Sequence, residues 1–410
     1  MHLFLNGLAA SAGGGLTYLR NVLPHLSARA GVRVTAAVNP QLRRELTGLP
    51  NVALLEINLS AGAVGRFWQE QTLLPTLIQS SKADVLISAG NFALRKSPVP
   101  QVLLSRNSLY TSADFSQDLR QRREYGLWLD TRIRGRLARS SIRWADRTVA
   151  PTEAFAQELR LWTGCAVTAI HHGFDREAFV RDQATLPEEI RQKLASGTSE
   201  SDKEGIRLLY VSHYNYYRNF ETLFRALQLL RQRLGGRKVK LFLTCRLRSE
   251  ENPGRYRANA ASALVAELGI VDNVVELGTI PYSSLHQVYR ACNIYVTPAY
   301  AESFAHPLVE AMASGLPVVA ADSGVHREIC EDAAVYFPRF SPDDLAERVC
   351  QIATSDQVAR KLSIRGLERS RAFSWSTHVD ELLGLAENLL ATINPTKRNE
   401  SATESRRKAS

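Results

Sequence analysis

The sequence predicts an α/β protein of two doubly wound domains. Three observations carry that expectation. Short apolar runs alternate with helical patterns along most of the chain, which implies a mostly parallel sheet covered on both faces. The alternation stops in a polar stretch at 181–205, which contains Ser-Gly-Thr-Ser-Glu-Ser-Asp-Lys, and then begins again. At 410 residues and 45% hydrophobic, the chain also exceeds what one ordinary core holds.

Residues 1–180 make the first domain. Strands are expected at 2–5, 32–38, 52–57, 85–88, 102–105 and 148–150, because these short apolar runs are bounded by turn residues. Helical patterns at 16–27, 66–80 and 153–162 fall between some of them, and a last strand at 167–171 closes the domain. Residues 181–205 read as a linker or surface insertion. In the second domain, 206–372, strands are expected at 208–212, 240–244, 274–277, 294–297, 318–320 and 334–337. The helix at 308–313 is closed by Gly315 and Pro317, and helical patterns at 343–353 and 356–372 follow. A final helix at about 376–391 lies within 373–393, and the polar residues 394–410 read as a disordered tail.

Composition narrows the class. No run approaches the roughly 18 apolar residues of a membrane span. The first residues open into a strand without a basic-then-apolar leader, so no secretory signal is expected. The five cysteines (165, 245, 292, 330, 350) are odd in number and form no Cys-x-x-Cys. They favour buried thiols in a reducing compartment over disulfides or zinc. A net charge of +10 fits an anionic partner: nucleic acid, an anionic membrane or a pyrophosphate substrate.

The most informative stretch is Glu302-Ser303-Phe304-Ala305-His306-Pro307-Leu308-Val309-Glu310. It places one carboxylate in the loop after a strand and a second on the first turns of the next helix. In an open α/β sheet that crevice is where ligands bind. Backbone amides at a helix start favour phosphate, and the two carboxylates can accept hydrogen bonds from hydroxyls. The combination suits a sugar nucleotide.

This segment, continued through Ala311-Met-Ala-Ser-Gly-Leu-Pro-Val-Val-Ala-Ala-Asp-Ser-Gly-Val-His-Arg-Glu328, closely resembles the retaining glycosyltransferases of family 4, which have a GT-B fold. The resemblance implies two Rossmann-like domains facing across a cleft, with the activated sugar on the second and the acceptor on the first. It implies that Glu310 holds the ribose, Glu302 holds hexose hydroxyls, and the amides around Ser303, Phe304, Ala305 and His306 meet the diphosphate. Ala305 stands where the family usually has glycine. Arg218 matches the family's diphosphate-clamping lysine, and Ser212-His213 replaces its Gly-Arg, so His213 or Tyr217 is expected to help by hydrogen bonding. Gly278-Thr279-Ile280 resembles the base-recognition turn, with Ile280 offering backbone groups to the base and Leu285 packing nearby.

Gly13-Gly14-Gly15 does not fit a nicotinamide-binding loop, because Tyr18 takes the third glycine position and Asn39 stands where an acidic ribose ligand belongs. The family's glycine loop instead approaches the donor phosphate, which assigns Gly14 and Gly15 to that contact. Where the family often carries an acid/base histidine, this chain has Arg106 and Asn107, the residues expected on the acceptor or sugar side. Residues 120–147 hold nine arginines interleaved with Trp128, Trp144 and several leucines and isoleucines. Two readings stay open there: peripheral contact with an anionic membrane, or a helix packed on the first domain with its arginines solvated. Nucleic acid is disfavoured. His171, His172, His286 and His378 show no metal-ligand spacing and read as structural.

The expected activity is a retaining, metal-independent hexosyl transfer from a nucleoside-diphosphate sugar to a glycan or lipid-linked acceptor, in envelope or extracellular polysaccharide or lipopolysaccharide synthesis. No cofactor is expected. The expected location is the cytoplasm, peripheral to the inner face of the cell membrane. Two alternatives remain: a sugar-nucleotide epimerase of the same fold, or a non-catalytic partner subunit. A dehydrogenase is disfavoured by the broken glycine pattern.

Overall fold

The computed structural model describes residues 1–10, 14–58, 62–181, 184–195, 205–235, 237–252 and 256–393. In chain order the first strands are β1 (His2–Asn6), β2 (Arg33–Val38), β3 (Val52–Glu56), β4 (Val85–Ser88), β5 (Gln101–Leu104), β6 (Arg147–Ala150) and β7 (Thr168–Ala169). Six more follow: β8 (Ile206–Tyr210), β9 (Val239–Leu243), β10 (Val274–Glu276), β11 (Ile294–Thr297), β12 (Val318–Ala321) and β13 (Ala334–Phe337). The helices begin with α1 (Gly14–Ser27), α2 (Pro40–Glu45), α3 (Ala63–Ser81), α4 (Ala113–Gln121), α5 (Tyr125–Trp144) and α6 (Glu153–Thr163). Next come α7 (Arg176–Val180), α8 (Glu188–Ala195), α9 (Phe220–Arg233), α10 (Ala258–Glu267) and α11 (Tyr282–Arg290). The last are α12 (His306–Ala313), α13 (Gly324–Cys330), α14 (Pro342–Ala353), α15 (Asp356–Arg369) and α16 (Trp375–Ile393).

The chain forms two compact units. One comprises Met1–Thr111, Leu129–Gly173 and Ser374–Ser410; the other comprises Ser112–Trp128 and Phe174–Phe373. Helix α4 and the opening residues of α5 thus belong to the second unit, although the chain enters them from β5 of the first.

The first unit is built on a parallel sheet in the order β3-β2-β1-β4-β5-β6-β7. Every residue of β1 is buried, and Leu3 sits between Val34 of β2 and Val85 of β4. An apolar strand in the middle of a parallel sheet is what helices on both faces require. The core gathers Leu3, Leu5, Leu19, Val22 and Leu23 with Trp375, Val379, Leu382 and Leu389 of α16. The chain can return so closely only because residue 173 is glycine: a Cβ there would lie 2.1 Å from the backbone nitrogen of Trp375. Around that contact His378 meets the Tyr18 hydroxyl at 2.8 Å and the His171 carbonyl at 2.7 Å, and His172 stacks on Trp375.

The second unit has a parallel sheet in the order β10-β9-β8-β11-β12-β13. Its helices start with local signals in the sequence. Ser341 and Ser355 accept hydrogen bonds from Asp344 and Val358 at the starts of α14 and α15.

Several elements differ from the sequence reading. The strand expected at 167–171 shrinks to the two residues of β7. The segment 181–205 contains the helix α8, because Ile190 and Leu194 lie four residues apart and are both buried. The helix expected at 356–372 ends at Arg369 and continues as a 3₁₀ turn, Ser370–Ala372. The basic segment 120–147 is not one helix: α4 stops at Gln121, Arg123 takes a left-handed backbone (φ 57°), and α5 begins at Tyr125. Gly13, residues 182–183 and 196–204, and the tail from 394 lie outside the described residues. All five cysteines are free; burial holds Cys245, Cys292 and Cys330 well above the ordinary thiol range. Among the described residues, no helix is long and apolar enough to cross a membrane.

Candidate functional site

In the second unit the strand order reverses between β8 and β11, which are neighbours in the sheet. The loops leaving their carboxyl ends open at this switch point, where an open α/β sheet offers a crevice. The β8 loop ends in a 3₁₀ turn, Tyr216–Arg218, and Asn219 (φ 54°) turns the chain into α9. The β11 loop carries Glu302. Arg218 Nη1 donates a hydrogen bond to Glu302 Oε1, with the two side chains 19% and 11% exposed. The Arg218 guanidinium also lies 4.9 Å from the Tyr217 ring centre, and its Nε has no hydrogen-bond partner among the described residues. Burial works against this charge, yet the guanidinium pKa is raised through its nearness to Tyr217, Tyr210 and Tyr295.

Helix α12 follows at once. Its N-cap, Ala305, adopts a left-handed backbone (φ 66°, ψ 62°) and supplies no side-chain cap to the helix start. Phe304 packs against His306 (ring centres 4.7 Å) and against Phe373 (5.5 Å). One turn further along, Glu310 is only 6% exposed and accepts a 2.8 Å hydrogen bond from the Tyr289 hydroxyl. Burial pushes its carboxyl up to about 7, although the Tyr289 bond pulls the other way. His213 stands near enough to Arg218 that partial burial, and then that positive charge, hold its imidazole below the ordinary range. After β10, Gly278 (φ 81°) makes the turn to a half-buried Ile280, and Leu285 is buried on α11.

The structure therefore pairs Arg218 directly with Glu302 and sets Ser303, Phe304, Ala305, His306 and Glu310 along the loop and helix that follow. The first unit holds a separate group at the carboxyl ends of β1 and β5. Gly14 and Gly15 are the first residues of α1 rather than a loop before it. A Cβ on Gly15 would lie 3.3 Å from Ala10 Cα and 3.9 Å from Arg106 Nη2. Arg106 stacks on the Tyr18 ring (4.4 Å) and donates to the Ala89 carbonyl, and burial lowers its pKa. The Asn107 side-chain oxygen accepts from the Leu109 amide at 3.0 Å, so it serves the turn that follows.

The sequence reading missed Tyr289, whose place among the core aromatics of α11 gives no sign that it meets a carboxylate. It also overestimated the tryptophans of the basic segment. Trp128 donates to the Ser116 hydroxyl at 3.1 Å and Trp144 stacks on Phe67, so neither leads an exposed face. The exposed apolar residues of α5 are Tyr125 (61%), Leu129 (52%) and Ile133 (42%). Arg132, Arg136, Arg139 and Arg143 are exposed on the same helix, whereas Arg134 pairs with Asp130 and Arg122 with Asp118 and Glu221.

Comparison with known proteins adds an independent line. Residues 192–369 match the family described as Glycosyl transferases group 1, and residues 12–178 match Glycosyltransferase Family 4. Two curated relatives are D-inositol 3-phosphate glycosyltransferases. The one from Nocardia farcinica is 32% identical over 42% of this chain and 38% of its own length; the one from Thermomonospora curvata is 26% identical over 62% and 59%. The aligned regions thus span between a third and three fifths of these relatives. Among solved structures, sucrose-phosphate synthase from Thermosynechococcus elongatus superposes with a TM-score of 0.73 at 19% identity, covering 96% of this chain and all of that one. Anabaena HepE in complex with UDP-glucose superposes at 0.68 and 17%, covering 95% of this chain and all of that one. Two parallel Rossmann-like sheets, and family matches that together take in most of the sequence, make this chain a member of glycosyltransferase family 4 with the GT-B fold.

Proposed function

We propose that the protein is a retaining, metal-independent glycosyltransferase that moves a hexosyl group from a nucleoside-diphosphate sugar to a glycan or lipid-linked acceptor. The observation that carries the reading is the Arg218–Glu302 pair at the switch point of the second sheet, with α12 and Glu310 beside it. Its family membership and the UDP-glucose bound by HepE support a sugar nucleotide as donor. In this reading Glu302 accepts hydrogen bonds from the hexose hydroxyls and Glu310 accepts them from the ribose. Arg218 and the start of α12 take the diphosphate. As the anomeric C–O bond breaks, the bonding pair leaves with the diphosphate and its growing charge meets Arg218. The acceptor oxygen attacks the same face, and a departing phosphate oxygen takes its proton, so no strong enzymic base is required. In this scheme Gly14 and Gly15 keep the donor-phosphate role that the family resemblance implies, and Arg106 and Asn107 that of the acceptor or sugar side.

Envelope or extracellular polysaccharide synthesis at the inner face of the membrane completes the proposal. Its support is the exposed face of α5, where Leu129, Arg132, Ile133, Arg136 and Arg143 recur at helical spacing.

The test offers purified protein uridine and guanosine sugar nucleotides with glycan and lipid-linked acceptors, with and without a chelator. The expected result is an acceptor heavier by one hexose, with the donor's anomeric configuration and no chelator effect. Recovery of a stereochemically altered sugar nucleotide without transfer would make the protein an epimerase. No turnover of any donor would leave the partner-subunit reading.

A further inference from the structure

We propose that helix α4 is a positioning element of the donor site, with Asp118 setting the separation of Arg218 and Glu302. The inference rests on the roles given to that pair in the proposed function. Asp118 uses both of its oxygens. Oδ2 accepts a 2.8 Å hydrogen bond from the Tyr300 hydroxyl, and Oδ1 accepts a 2.7 Å bond from Arg122 Nε. Arg122 then reaches Glu221 Oε1 at 2.7 Å and lies 4.3 Å from the Tyr216 ring centre. Tyr300 stands two residues before Glu302, and Glu221 three residues after Arg218. The relay Tyr300–Asp118–Arg122–Glu221 therefore ends beside both members of the pair.

Two further contacts tie the same loops. The Tyr300 amide donates to the Tyr217 carbonyl at 3.0 Å, which joins the β8 and β11 loops directly. Phe115 of α4 meets the Tyr217 ring edge-on at 6.1 Å, and that ring also lies against the Arg218 guanidinium. Phe115 and Leu119 are buried, Arg339 holds Asp114 at 2.6 Å, and the Tyr216 hydroxyl donates to Glu124 at 2.8 Å. The helix is thus anchored along its length and just beyond its end. Burial, and then the charge of Asp118, push the Tyr300 phenol upward, so it stays a hydrogen-bond donor to that carboxylate. A reacting pair misplaced by about 1 Å loses on the order of a hundredfold in rate, so a brace of this kind acts on turnover.

The experiment compares Asp118→Ala, Asp118→Asn and Tyr300→Phe by steady-state kinetics, thermal melting and crystallography. Asp118→Ala should lower kcat about tenfold or more while donor KM moves less than about threefold. Asn retains an acceptor for Tyr300, so Asp118→Asn should recover most of the loss. Asp118→Ala combined with Tyr300→Phe should cost little more than the worse single change, because both cut one relay. Unchanged kcat, strictly additive losses, or a fall explained by the unfolded fraction alone would overturn the proposal. If Asp118→Ala does not fold, Phe115→Leu carries the same comparison. A wild type that turns over no donor defeats the function proposed above; the positioning claim then stands or falls on whether Asp118→Ala separates Arg218 from Glu302 in the crystal.

Discussion

The Tyr289 hydroxyl donates a 2.8 Å hydrogen bond to a Glu310 carboxyl that is almost wholly out of water and pushed up to about 7. An acid with a raised folded-state pKa supports the fold fully at pH values below its unfolded pKa and loses that support as pH rises through the folded pKa. Glu310 should therefore make the protein less stable at pH 8 than at pH 5. Glu310→Gln should remove that slope, gaining on the order of 3 kcal/mol at pH 8 and little at pH 4.5. The same change should weaken donor binding by roughly 1–3 kcal/mol at pH 8, where the carboxylate is charged. Thermal melts across that range and calorimetric titration of the donor measure both effects, and an unchanged affinity would remove Glu310 from the site.

Arg218→Ala should slow turnover more than it weakens donor binding, because charge on the leaving diphosphate grows as the bond breaks. It should also destabilise the fold by about 3 kcal/mol, because it leaves Glu302 poorly solvated and unpaired. The double variant Arg218→Ala with Glu302→Ala should regain much of that stability and none of the activity. Kinetics and urea unfolding on the three proteins decide it.

Ala305→Gly should stabilise the protein by roughly 0.5–1 kcal/mol, because alanine is strained in the left-handed region and glycine is not. Urea unfolding reads the difference. A loss of stability would mean that Ala305 contributes packing that outweighs its backbone strain.

Replacing Arg132, Arg136 and Arg143 with Gln should weaken sedimentation with anionic vesicles by up to about 1 kcal/mol per residue, and less at high salt. Arg134 is omitted because Asp130 already holds it. If the wild type ignores anionic vesicles, the exposed face of α5 needs another partner.

What could be read in the sequence was local. The strands at 85–88, 294–297 and 334–337 match β4, β11 and β13 to the residue, because apolar runs and their turn residues are neighbours in the chain. The Glu302–Glu310 stretch was legible for the same reason: loop, helix start and both carboxylates fall within nine positions. Asp118 and Tyr300 are 182 residues apart, and neither has a neighbour that betrays the other. Tyr289 looks like any core aromatic until Glu310 is brought against it. Helix α8 was hidden in a polar composition whose two buried residues only a helical repeat aligns. In the basic segment the charges are plain in the sequence, but φ at Arg123 and the contacts that hold both tryptophans half-buried are tertiary facts.

The first unit is interrupted in the chain by the second. Helix α16 packs against α1 and buries Trp375, Val379, Leu382, Leu383, Ala386 and Leu389 in a core begun by β1. During synthesis those residues leave the ribosome after every residue of the second unit. The unit made first is therefore finished second, against the usual amino-to-carboxyl order of domain folding. In the interval the part of α1 that α16 covers is bare, and exposed apolar surface of that kind makes an incomplete chain prone to aggregate. A chain cut before Trp375 would have lost part of a core rather than an appendage. Expression trials that trim the carboxyl end should keep everything through Leu389.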